Sequence, residues 1–326
     1  MKVPCVVAAV LMVAGSGLQA QDLPSPVCPG QSLQERVAQD ACQQAYDVYQ
    51  LLAPQLGLAL TGGNATAGQG GVLGGIGHFS VGVRGNVFSG LLPDVTNFQQ
   101  SLNGASRATL PTTKQIVGLP TADAAIGLFR GLPLGVTNIL GLDALFSASY
   151  VPKINENSVT VDPRTSFQFG YGARVGLLSE SIVTPGVSFS WIERDLPTTD
   201  VTGTASNATL SVSGAKVKTN AWRIVASKSL IVFGVAVGGG RDHYDQSATV
   251  AGVISGLGGA ATTLATSQTL DRTNIFADLS WNLPLFKIVG EVGQASGGTV
   301  QTYNSFAGGR ADRSQVYGSI GIRLSK

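Results

Sequence analysis

The sequence predicts an all-β chain, a transmembrane antiparallel β-barrel of about ten strands (about 8 to 14 fit the pattern), preceded by a short N-terminal helical segment. Three observations lead there. Charged residues make up only 12% of the 326 residues, 43 residues are glycine, and the mean hydropathy is +0.23; soluble domains usually carry about twice that share of charge. From about residue 76 onward, apolar residues recur at every second position, in segment after segment. The connections between those segments alternate between short and long, as they do in a barrel with tight turns at one end and extended loops at the other.

The composition suits such a barrel for a physical reason. Lipid offers no hydrogen bonds, so the sheet must pair its own main-chain groups and turn an apolar face outward. In Phe167–Leu178 one face carries Phe167, Phe169, Tyr171, Ala173, Val175 and Leu177, and the other Gln168, Gly170, Gly172, Arg174 and Gly176. A soluble β-sandwich would bury the first face and show charge on the second. Here the second face is too polar for a core and too bland for a solvated surface.

In chain order, residues 1–20 (MKVPCVVAAVLMVAGSGLQA) read as a secretory signal peptide: Lys2, then an apolar run from Val3 to Val13, then a small residue, Ala20, at the cleavage position. The apolar run is too short to span a bilayer as a helix. Residues 21–75 form a separate segment. Ser32-Leu33-Gln34-Glu35 has the form of a capping box, and Leu33, Val37, Ala41, Val48 and Leu52 follow at near-helical spacing, so a helix is expected over 32–52, ended by Pro54. Cys28 and Cys42 are an even pair in an exported chain, and a disulfide between them is the natural reading. The Gly- and Ala-rich stretch 55–75 is either flexible or closely packed.

The barrel is expected over 76–326. Strands are read at Phe79–Arg84, near 121–131 (the weakest), at Leu140–Tyr150, Phe167–Leu178, Val187–Trp191, Trp222–Ser227, Phe233–Gly238, Asn274–Leu283, Phe286–Gly293 and Val316–Ser325. Short turns fall at 131–137, 179–185, 227–230 and 282–285. Loops are expected at 89–120, 151–164, 195–219, 240–272 and 296–312. On this register the charged residues Arg84, Asp143, Arg174, Arg194, Arg223, Asp278, Lys287, Glu291 and Arg323 all face inward, because a charge facing lipid at the midplane costs about 2–4 kcal/mol. They fit either a salt-bridge network filling a narrow lumen or a channel constriction that selects by charge. The inward face also carries Gly82, Gly170, Gly172, Gly176, Gly234, Gly238, Gly293 and Gly321. Glycine fills nothing, so water, a ligand or residues 22–75 must occupy that space. The helical segment is expected at or in the periplasmic mouth, part of it as a plug.

Over residues 76–326 the chain resembles bacterial outer-membrane β-barrel proteins. The resemblance rests on the strand pattern and on the C-terminal strand VYGSIGIRLSK, which is similar to the assembly signal of that class. Members usually end in an aromatic residue, whereas this chain ends Leu324-Ser325-Lys326. The Gly/Ala-rich segment resembles the N-terminal hatch of outer-membrane fatty-acid transporters, with no residue carried over. The resemblance implies the bacterial outer membrane as location, and its lipid and the barrel-assembly machinery as partners.

The function expected is passage or binding of small-molecule solutes across the outer membrane. The competing reading is a non-transporting structural or adhesion barrel acting through its external loops. A continuous water path would support the first and a closed plug the second. A surface protease is a remote third reading: His243 and Asp245 share a strand face, as in the His–Asp pair of the omptin proteases, but no second Asp pair is evident. His78 reads as a polar strand end. No catalytic residue, cofactor or metal set is assigned, and the net charge of +2 without a basic cluster gives no reason to expect nucleic acid.

Overall fold

The computed structural model describes residues 24–156, 158–205, 207–255 and 259–326; the expected signal peptide lies outside them. Ten long strands form one closed antiparallel ring. They are β1 Phe79–Pro93, β2 Thr112–Phe129, β3 Gly141–Tyr150, β4 Phe167–Leu178, β5 Gly186–Asp195, β6 Ala208–Ser229, β7 Phe233–Ile254, β8 Ala261–Asn282, β9 Lys287–Ala295 and β10 Gln315–Ser325. Each pairs with the next in chain order, and β10 closes on β1, with Val83 opposite Ile322. Closure leaves the ring itself with no unpaired edge, the condition for a β-structure in lipid. The alternation holds in each expected segment. On β8, Ile275, Leu279 and Trp281 are exposed while Asn274, Phe276, Asp278 and Ser280 are buried. The chain is therefore a transmembrane β-barrel of the outer-membrane type, a class that sets its short turns toward the periplasm.

Four of the expected loops are partly strand instead: in 89–120, residues 112–120 pair along β1, and in 151–164, Ile154–Glu156 pairs with 159–161, whose strand Val159–Pro163 pairs with Thr199–Gly203. Residues 240–272 continue the β7–β8 ladder, from Arg241 opposite Thr273 out to Val253 opposite Ala261. Much of 195–219 is likewise ladder, with β6 starting at Ala208 and Thr199–Thr204 pairing along its outer end. The apolar period disappears there for a simple reason. Beyond the membrane the outer face meets water and carries Arg241, His243 and Asp245, while the inner face mixes Asp242, Tyr244, Gln246 and Val250. Alternation persists in burial but not in hydropathy.

The helix α1, Leu33–Thr61, starts where the capping box places it: Ser32 Oγ accepts from Glu35 N (3.1 Å), and Glu35 Oε2 accepts from Ser32 N (2.9 Å). It does not end at Pro54. Proline removes one helical N–H, but the next side chain, Gln55, donates to the Leu51 carbonyl (2.9 Å) and to Leu91 O on β1 (3.0 Å), tying that turn to the wall. With 29 residues the helix is about 43 Å long, enough to reach deep into the barrel.

The helix lies inside the ring, and its direction differs from expectation. Its first two-thirds, including Cys42 and Leu51, packs with Cys28 just ahead of it among Leu91, Leu110, Leu210, Val250 and Ile254, at the long-loop end. Its last turn packs among Phe88, Val225, Phe276 and Tyr317, deeper in the lumen. Residues 62–75 continue down to the short-turn end and enter β1 there. The Cys28–Cys42 bridge, with Cα atoms 6.0 Å apart, thus sits at the long-loop mouth rather than the periplasmic one. The longer helix and the outward extension of β6–β8 explain the difference: together they build a turret whose apolar interior the helix fills.

Candidate functional site

The lumen and the N-terminal segment inside it form one polar interface in three tiers. At the top, two carboxylates of α1 hold the loops that cross the mouth. Asp40 accepts from Ser101 N (2.7 Å) and Ser106 N (2.8 Å). Asp47 accepts from Tyr303 N (3.0 Å), Asn304 N (2.9 Å) and Asn304 Nδ2 (2.8 Å). Burial pushes the Asp47 carboxyl up to about 6, against the pull of the Asn304 and Tyr303 N–H groups, and burial also raises Asp40. Below the lid, Ser305–Phe306 pairs in parallel with Thr109–Leu110, joining the two loops across the mouth.

In the middle tier, the C-terminus of α1 meets a clasp of side chains from the wall. The final turn of a helix leaves carbonyls without helical partners and carries partial negative charge. Here Asn86 Nδ2 donates to Ala59 O (2.9 Å), Arg194 to Leu60 O (3.4 Å), Arg223 to Thr61 O (3.2 Å) and Arg84 to Gly62 O (2.5 Å). The arginines are in turn paired on the wall: Asp123 bridges Arg84 and Arg194, and Asp242 pairs with Arg223. Each of these charged side chains is no more than 6% exposed.

In the lowest tier, acids from the wall accept main-chain N–H groups of residues 64–73. Glu291 takes Asn64 N (2.9 Å), Asp278 takes Gly68 N (2.8 Å), and Asp143 takes Leu73 N (3.2 Å). Asp278 and Glu291 stand opposite each other on β8 and β9. Basic side chains take the acceptors: Arg323 donates to Thr66 O (3.1 Å) and Ala67 O (2.7 Å), and Arg174 donates to the Thr66 hydroxyl (2.6 Å) and Gln69 O (3.4 Å) while pairing with Asp143 (2.6 Å). Charge-assisted hydrogen bonds of this kind are roughly twice as strong as neutral ones, and most of them here grip the main chain.

Eight of the nine charges read from the sequence lie buried in these two lower tiers. Lys287 is half-buried at the short-turn end of β9, opposite Arg323. Parity could also have found Asp123, which alternates with Ala122 and Ala124. Asp242 and Arg272 fall in the stretch 240–272, where the apolar period is lost, and Asp40 and Asp47 fall in a helix whose sequence signal is its apolar face. The glycines divide otherwise than expected. Neighbouring wall side chains lie over several of them, with Phe276 across Gly238, Tyr317 across Gly293 and Arg84 beside Gly321. Gly176 receives Val72 of the segment, and the closest approach of helix to wall uses Gly252, where a Cβ would land on the Cys42 main chain.

His243 is not at the mouth or in the lumen. It lies on the outer face of β7, bonded to Asp271 (2.9 Å) and Asp245 (3.3 Å), with Arg241 also on Asp271 (3.1 Å). His78 is exposed just ahead of β1. Among the described residues, no three His, Cys, Asp or Glu side chains gather as metal ligands.

No protein-family model matches the sequence, and no curated protein matches it. Among solved structures, the chain is similar to the transport unit of the autotransporter AIDA-I from Escherichia coli, with 8% identity over 88% of this chain and 99% of that one and a TM-score of 0.28. It is also similar to the toluene transporter TbuX of Ralstonia pickettii, with 12% identity over 81% and 92% and a TM-score of 0.25. A third is the outer membrane channel DcaP of Acinetobacter baumannii, with 8% identity over 79% and 100% and a TM-score of 0.19. The assignment of the fold rests on the closed ring and its outward apolar belt, not on these likenesses.

Proposed function

We propose that this chain is a shut outer-membrane barrel that acts through the dome at its long-loop end, with the N-terminal segment as a permanent core rather than a solute path. The observation that carries this reading is the burial of α1. Its upper half shares a hydrophobic cluster with the turret, and its last turn is clasped by Asn86, Arg84, Arg194 and Arg223. A lumen filled in this way supports the structural or surface-recognition reading over free passage. The test is conductance: the intact protein in planar bilayers carries no steady current, whereas a chain lacking residues 33–70 does. A steady current through the intact protein would overturn the reading.

A second reading keeps passage of small solutes, by displacement of residues 62–75. What favours it is the contrast between the tiers. The upper half of the segment is held mainly by apolar packing, and the lower part mainly by ionic hydrogen bonds to main chain, which water or a polar solute can replace.

A further inference from the structure

The four short turns carry large apolar side chains at their tips. Val136, Ile182, Val183, Ile231 and Leu285 are each at least 70% exposed, and Ile231 is fully so. Turns in water favour Gly, Asn, Asp and Ser, and contiguous exposed apolar surface marks a contact.

The main chain of these turns is satisfied from within. Lys228 Nζ donates to the carbonyls of Ser181, Ile182 (2.9 Å) and Thr184 (3.3 Å). Asn282 Nδ2 donates to Leu230 O (3.1 Å), and Glu180 accepts from Ser229 N. Leu283 N donates to Phe286 O (2.9 Å), and Leu132–Leu134 pairs with Thr137–Ile139. The charged groups Lys228 and Glu180 therefore bond main chain while the apolar side chains point away. A turn in water gains little from such pairing, whereas a turn in lipid requires it.

The outer apolar band is also short in this sector. On β7 the uncharged outer face runs from Phe233 to Gly239, bounded above by Arg241 and His243. At about 3.4 Å per residue and a tilt of about 40°, that is roughly 15 Å of height, against about 25 Å for a barrel band. The turn tips extend the band in the direction where it falls short.

We infer that the short-turn end is a lipid-binding surface, its four turn tips seated in the phospholipid leaflet at that end rather than in the aqueous space beyond it. The surface is continuous with the belt on the strands, and the inference is independent of whether the lumen opens. A periplasmic protein covering the same tips is the rival occupant.

The test uses the chain from residue 21 onward, which lacks Cys5, in vesicles of phosphatidylcholine alone. Ile231→Cys carries an environment-sensitive fluorophore, and Cys28 and Cys42 are engaged with each other. Thr299→Cys, in the exposed loop at the opposite mouth, is the aqueous control. The label at 231 is expected to emit at shorter wavelength than at 299, and to be quenched several-fold more by lipid-borne nitroxide than by iodide, with the order reversed at 299. Equal iodide quenching at both sites would overturn the inference. A second variant, Ile182→Asp with Ile231→Asp, is expected to lower the yield of insertion into the same vesicles several-fold. Unchanged insertion would favour a protein partner and overturn the lipid assignment.

Discussion

Replacing Arg174 by Met tests whether the lower strap is held by the charges that surround it. Arg174 and Asp143 face each other across β3 and β4, are 1% and 0% exposed, and together contact Thr66, Gln69 and Leu73. The substitution keeps the side chain's length but leaves Asp143 buried with a single main-chain donor. Removing one partner of a buried ion pair costs about 3–5 kcal/mol. The strands are held by their ladders, so the economical relief is for residues 64–73 to move and let water reach Asp143. A bias of that size shifts a shut-to-open equilibrium by a factor of about 10² to 10³ or more. In planar bilayers the variant should show brief openings absent from the native protein. Arg174→Met combined with Asp143→Leu should be quiet again, because no orphaned charge remains. A single variant as silent and as heat-resistant as the native chain would refute the reasoning, as would a double variant that opens as often as the single one.

Other outcomes follow from the upper tiers. Asp47 has its folded pKa raised from 3.8 to about 6, so its stabilising contribution is full below about pH 4 and is lost as pH rises through about 6, to the extent of roughly 3 kcal/mol at most. Amide protection of residues 301–305, corrected for intrinsic exchange, should therefore fall between pH 5 and pH 7.5, and Asp47→Asn should flatten that change. Gly252→Val places carbon atoms on the helix main chain and should lower the temperature at which the folded gel band disappears, at a cost of about 1–3 kcal/mol; Gly290→Val, which faces open space on the outer wall, should not. Reducing Cys28–Cys42, which closes a loop of 14 residues' separation, removes about 3 kcal/mol of loop-closure stabilisation. It should make residues 24–31 protease-sensitive while α1, held by the turret core, stays protected.

The barrel was legible because lipid writes a strong code. An apolar outer face against a polar inner one gave the ten strands and the inward parity of Arg84, Arg174, Arg223 and Arg323 without any partner being known. Where the wall leaves lipid, as beyond Gly239 on β7, both faces become mixed and the code vanishes, so a ladder looked like a loop. The start of α1 was legible from Ser32 and Glu35, which act locally. Its end was not, because Pro54 is tolerated only through Gln55 and its contact with Leu91, a partner distant in sequence. The inner face is no more permissive than the outer. Trp281 faces lipid, and Ser280 lies directly under Gly68, so an arginine at 280 should collide with the strap and be as damaging as one in lipid at 281.

The pattern of contacts also constrains how the molecule is assembled. The N-terminal end of α1 lies beneath loops 94–111 and 296–314, tied to them by Asp40 and Asp47, while its C-terminal extension leaves through the opposite mouth into β1. A stapled helix of this bulk cannot be drawn through a ring already closed and lidded. The β1–β10 seam must therefore close around the helix. The wall residues that clasp the helix terminus are spread over strands from β1 (Arg84, Asn86) to β6 (Arg223), and Arg323 of β10 reaches Thr66 from the other side of the seam. Buried charges on strands from both sides of the seam, Arg84, Arg194, Arg223, Asp278, Glu291 and Arg323 among them, thus find their main-chain partners only when the segment is already in place. On this argument the segment is a template for closure, and a chain lacking residues 33–70 should form its folded gel band several-fold more slowly than the full chain, even if the finished barrel is stable. Equal rates of closure would mean that the ring forms first and that the helix reaches its place by another route.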